Sequence, residues 1–80
     1  MERSEIYKAI DSERDYQDKK WGNNSLDNSI ADYILYMEKH IQNAKDALYE
    51  LESKEAREFL RKVTALGVAC FEQHGVEPRI

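Results

Sequence analysis

Most of the residues that staple or punctuate a chain are scarce here. Cys70 is the only cysteine, which excludes an internal disulfide. It stands in the most apolar part of the sequence, where a small buried hydrophobe would stand. No paired Cys/His spacing suited to zinc is present. One proline and three glycines leave little to interrupt regular structure, so long helices with short connections are expected. There is no repeat, no low-complexity segment and no signal-peptide pattern. No apolar run comes near the roughly 18 residues a membrane span needs, so no membrane partner is expected and the cytoplasm is the expected location. Basic residues are outnumbered as well: 12 Lys and Arg against 16 Asp and Glu give a net charge of −4. Binding to DNA or RNA draws on clustered cations that release counterions, so neither is an expected partner. A small anion is not excluded, because two or three basic groups in one pocket can hold a phosphate.

What the chain does have is helical periodicity around one dominant stretch. Arg57 to Gly75 reads REFLRKVTALGVACFEQHG, and from Val63 to Phe71 only Thr64 is polar. A helix apolar on all sides is enclosed by neighbours, so this segment is expected to be a central helix. Gly67 inside it costs about 1 kcal/mol relative to Ala. Close approach of another backbone, from the same chain or a second copy, would offset that cost. A chain of 80 residues makes one domain, 1–80, and buries only about 60–65% of its unfolded surface. With disulfides and zinc set aside, self-association is the remaining support for so small a core. A homo-oligomer is expected, with the third helix and the seam of the second at the interface.

The spacing predicts an all-α fold of three helices. The first runs from Ser4, as its cap, to Lys20. Ile6, Ile10, Glu13, Gln17 and Trp21 share one face, and the polar pair on that face must find partners there. The second runs from Ile30 to Leu51 behind a capping box of Ser29 and Asp32. Its seam is Ile30, Ile34, Met37, Ile41, Ala44, Leu48 and Leu51, with a flank of Tyr33, Tyr36, His40 and Ala47. Those tyrosines either pack at a core edge with hydroxyls in water or form a stacking platform. The third helix starts at Ser53 and stops at Gly75, three residues before Pro78. The short step from Leu51 to Ser53 forces helices two and three into a long antiparallel hairpin, each about 30 Å long, with helix one packed across it.

Two segments carry a resemblance. Glu13-Arg14-Asp15-Tyr16-Gln17-Asp18-Lys19-Lys20-Trp21-Gly22 and the ending from Arg61 to Gly75, RKVTALGVACFEQHG, resemble the opening and closing blocks of small MazG-like helical proteins, many of them encoded by bacteriophages. The resemblance implies an all-α nucleoside triphosphate pyrophosphohydrolase that uses Mg²⁺. Such enzymes carry E-E-x-x-E on one helix and E-x-x-D on the next, because several carboxylates on one face hold the hard cation that bridges phosphates. This chain departs from that pattern. Between Glu38 and Gln42 only Glu38 is acidic, Lys39 and Gln42 stand where acids are needed, and Arg61 follows Glu58 by three. An enzyme would have to draw its metal ligands from Glu38, Glu58 and Glu72, within one chain or across subunits.

Exchanging acids for Lys39, Arg61 and Lys62 suits a site that holds phosphate directly, with no metal, no cofactor and no catalytic residue. Glu13, Gln17 and Trp21 would hold a base, and Arg14, Lys20, Arg61 and Lys62 the phosphate of a nucleotide or cyclic nucleotide. By analogy with small helical phage proteins, the expected role is a sponge that sequesters a nucleotide immune second messenger in the host cytoplasm. The alternatives are the Mg²⁺-dependent pyrophosphohydrolase and a protein-interaction module that inhibits a host protein. Each residue also has an ordinary reading. The cations would sit in surface i,i+4 pairs, Trp21 would cover the core, Glu13 would pair with a basic residue of the third helix such as Lys62, and His40 and His74 would be surface or cap residues.

Overall fold

The computed structural model of the protein describes residues 1–22 and 28–80. Three α-helices build it: α1 (Arg3–Trp21), α2 (Ile30–Tyr49) and α3 (Ser53–His74). Several helix ends follow from local chemistry. The Ser29 hydroxyl accepts from the Asp32 amide at 3.0 Å, and the Asp32 carboxylate accepts from the Ser29 amide at 2.9 Å, closing the capping box and satisfying two orphan donors. Gly22 and Gly75 end α1 and α3 at φ 60° and 87°, where only glycine sits without a Cβ penalty. Helix α3 starts at Ser53 as expected, but neither Ser4 nor Ser53 caps its helix. Both already lie within their helices, and Glu2 and Glu52, at the N-cap positions, make no side-chain cap hydrogen bond. Asn23 and Asn24, expected in the turn after α1, and the rest of the loop to Asp27 lie outside the described residues.

The α2–α3 connection is as tight as its length requires. The Glu52 amide donates to the Ala47 carbonyl at 2.8 Å, and the Leu51 amide to the Leu48 carbonyl at 3.0 Å. This pair of bonds is a Schellman motif. Its left-handed position is normally glycine, but here it is Leu51, at φ 63°. Leu51 therefore belongs to the turn and is exposed; it does not extend the α2 seam.

Helices α2 and α3 pack most closely, and α1 packs across α3. Two clusters fill the hairpin. Tyr33, Leu66, Ala69 and Cys70 are buried together with Met37 against them, and Ala44, Ala47 and Ala56 are buried with Phe59 against them. Cys70 is thus the buried hydrophobe its setting implied. Most contact positions are alanines, which let two helix axes come close. Leu66, 1% exposed, is the largest fully buried side chain. The seam on α2 is only partly used. Met37 and Ala44 turn toward α3 beside the flanking Tyr33 and Ala47, while Ile30, Ile34, Ile41 and Leu48 stay about half exposed. Helix α3 is central in that both other helices rest on it, but it is not enclosed, since Leu60 and Phe71 are half exposed. Nothing described lies within 4 Å of where a Cβ on Gly67 would stand. The close approach expected at Gly67 is therefore not made by the described backbone of its own chain.

Candidate ligand-binding pocket

Helix α1 is fastened to α3 largely by polar groups, and these fix the geometry of the pocket beside them. Arg61 Nε donates to Glu13 Oε1 at 2.7 Å, with the Glu13 side chain buried and Arg61 partly open to water. Gln17, also buried, donates through Nε2 to the Lys62 carbonyl at 3.4 Å and accepts from Arg14 Nη1 at 3.0 Å. Arg14 Nε donates to Glu72 at 2.9 Å, and its Nη2 donates to Asp18 at 2.8 Å. The hydrogen bond it donates to Glu72, aided by the one to Asp18, raises the affinity of the Arg14 guanidinium for its proton. Polar groups on the apolar face of α1 thus find the partners that burial demands.

Above this layer the three helices line an open cavity of about 540 Å³, bordered by Arg14, Lys20 and Trp21 from α1, Tyr33, Tyr36, Lys39 and His40 from α2, and Leu66 and Ala69 from α3, with Asn28 at its edge. Its size is that of small-molecule sites generally. Among the described lining residues three are cations and none is a carboxylate, in a chain of net charge −4. Arg14 is held by Glu72 and Asp18. Among the described residues neither Lys20 nor Lys39 is held in an ion pair. Trp21, 41% exposed, and Tyr36, 46% exposed, offer ring surface. Tyr33 is buried, and its hydroxyl donates to Gln73 Oε1 at 2.8 Å, so it is a wall and not a stacking surface.

Sequence reasoning passed over His40, which lines the cavity and is not a plain surface residue. Its ring stacks on Phe59 with centroids 6.3 Å apart, and its Nδ1 is buried without a hydrogen-bond partner. Burial, then the charges of Lys62 and Lys39, hold its pKa below the ordinary histidine value. The available signal was its place on the Tyr33–Tyr36 flank of α2. His74, the last residue of α3, is exposed, contacts the Asn28 carbonyl through Nε2 at 2.8 Å and meets the Tyr33 ring edge-on.

The seven nucleotide-binding candidates therefore divide. Arg14, Lys20 and Trp21 line the cavity. Glu13 and Arg61 pair with each other, Gln17 is engaged below it, and Lys62 lines a smaller depression of about 300 Å³ with Glu52, Lys54, Glu55, Glu58 and Phe59. Trp21 does not cover the core. Of the acids an enzyme would need, Glu72 is paired with Arg14, Glu58 edges the smaller depression, and Glu38 is exposed. Glu58 and Glu72 stand about 21 Å apart along α3, at 1.5 Å per residue, too far to share one ion within a chain. Among the described residues no group of three or more His, Cys, Asp or Glu could hold a metal ion, and no helix is long and apolar enough to cross a membrane. No family model matches the chain, and neither a curated protein nor a solved structure is significantly similar to it.

Proposed function

We propose that this protein binds a nucleotide without hydrolysing it, working as a homo-oligomer and serving to sequester its ligand. The observation that carries the reading is the composition of the cavity, which gathers cations and aromatic rings and no described carboxylate in an otherwise acidic chain. Lys20 and Lys39 are placed to meet phosphate oxygens as point charges. Trp21 and Tyr36 supply π-faces for a base, a contact worth about 1–3 kcal/mol per base. Leu66 and Ala69 supply an apolar floor beneath those charges. The scattered acids leave no described cluster for the cation that phosphate-ester hydrolysis uses, so binding is the chemistry the residues suit. A protein that binds and does not turn over its ligand acts by stoichiometry, as a sponge for a nucleotide second messenger would.

Calorimetric titration with ADP, a cyclic dinucleotide and inorganic pyrophosphate tests this. At least one of them should bind one per chain, and Lys20→Glu with Lys39→Glu should weaken binding tenfold or more. No binding of any of the three at millimolar ligand would end the proposal. So would pyrophosphate release from a nucleoside triphosphate with Mg²⁺.

A further inference from the structure

We infer that the side of the hairpin facing away from the pocket is covered by a second copy of this chain, giving a dimer whose core is a four-helix bundle and whose two pockets face outward. The inference rests on the self-association proposed above. It adds the residues of α3 that join the expected α2 seam, the order and the independence of the pockets.

The face follows from the order of residues around each helix, at roughly 100° per residue. Around α2 the sequence runs from the pocket residues Lys39 and Tyr36, through the α3 contacts Tyr33, Ala44 and Ala47, to Ile30, Ile34, Ile41 and Leu48. Around α3 it runs from the pocket residue Ala69, through the α2 contacts Leu66, Cys70 and Ala56, to Leu60, Gly67 and Phe71. In both helices the hairpin contact lies between the pocket side and the apolar stripe. One cavity touches both pocket sides, so the two stripes share the opposite side of the hairpin.

The occupant is argued from that face. Its Ile30, Ile34, Ile41, Leu48, Leu60 and Phe71 are each between 43% and 56% exposed, a contiguous apolar surface of the kind that marks association. The periodicity of the α2 stripe is that of a bundle seam, and two such hairpins supply the four helices a bundle needs. Gly67 sits in the stripe with open space over it, which lets a facing helix come close. The edges carry both charge signs, Glu38 and Lys45 on α2 and Arg57 on α3, all exposed, so a twofold pairing of identical faces is not a pairing of like charges. The core inside one chain is mostly alanine, and the larger apolar side chains needed to stabilise so short a fold lie on this face.

Sedimentation of the full chain tests it. The wild type should run at twice its 9.4 kDa mass. Ile34→Asp with Leu60→Asp should run as a monomer with unchanged helicity by circular dichroism and an unchanged affinity for pyrophosphate. Gly67→Arg, which removes no apolar side chain, should also be monomeric, and it decides the matter if the double variant loses helicity. Tyr36→Asp, on the pocket side, should stay dimeric. A monomeric wild type, a dimer that survives Gly67→Arg, or a dimer broken by Tyr36→Asp would each overturn the inference. Absence of pyrophosphate and nucleotide binding in a normal dimer would instead count against the pocket reading alone.

Discussion

Glu13 and Arg61 meet at 2.7 Å across the α1–α3 contact with unequal exposure: the carboxylate is buried, while the guanidinium side chain is 42% exposed. The asymmetry predicts an asymmetric mutational response. Arg61→Ala leaves a carboxylate in the interface without its partner and should cost about 1–3 kcal/mol, less than for a fully buried pair because water reaches the site. Glu13→Gln leaves an arginine that can turn to solvent and should cost about 1 kcal/mol or less. Urea unfolding of the two variants checks the order; equal costs would contradict the geometry.

Leu51 holds a left-handed conformation at φ 63° with its side chain in water. A Cβ in that region costs about 1–2 kcal/mol, offset in part by the unfolded-state entropy that glycine brings. Leu51→Gly should therefore raise stability by about 0.5–1 kcal/mol. A thermal melt with a lowered midpoint would show that Leu51 makes contacts that outweigh the strain.

Ser29→Ala removes half of the capping box and leaves the Asp32 amide without its acceptor. The expected loss is about 1 kcal/mol. Hydrogen exchange should speed up most in the first turn of α2, beside the cavity. Uniform acceleration along α2 would mean that the cap holds more than its own turn.

His40 sets a pH dependence whose sign can be worked out. Its folded-state pKa lies below the unfolded value of about 6.5 because burial, Lys62 and Lys39 disfavour the charged ring. From the unfolded pKa down to the folded one, the unfolded chain binds the extra proton, so stability falls as pH falls through that window. An anionic ligand favours the charged ring and raises the His40 pKa in the complex, so affinity should rise as pH falls from the ligand-bound pKa toward the lower pKa of the free fold. His40→Gln should flatten both curves. If affinity is independent of pH between 7.5 and 5.5, about one unit either side of 6.5, the ligand does not reach His40.

Much of the fold was legible because its signals are local. The Ser29–Asp32 pair, the glycines at 22 and 75 and the short step after Leu51 name helix ends and an antiparallel hairpin with no reference to tertiary structure. Glu13 and Gln17 were also legible as polar groups needing partners on an apolar face. Which partner they take was not. Arg61 and Lys62 are neighbours in sequence but point roughly 100° apart, so the choice depends on how α1 crosses α3, which no spacing encodes. The Leu51 turn was hidden because leucine gives no left-handed signal. The unused half of the α2 seam was hidden because periodicity reports an apolar stripe without saying what covers it. The pocket draws Lys39, Tyr36 and His40 from one helix and Lys20 and Trp21 from another, and only the packing of α1 brings them together.

Helix α1 is joined to its neighbour by Arg61 to Glu13, Arg14 to Glu72 and Gln17 to the Lys62 carbonyl, while the hairpin is joined by apolar side chains. The two joints answer to different solvents. Added salt screens the solvent-facing Arg14–Glu72 pair of the first, acts less on the buried Glu13 carboxylate, and leaves the second intact or tighter. The molecule is therefore a greased hinge pin with an ionic clasp laid across it, and the clasp carries one wall of the cavity. Raising ionic strength should loosen that wall more than the hairpin, so the grip on a ligand is set by the salt around the protein as well as by the ligand's own charge.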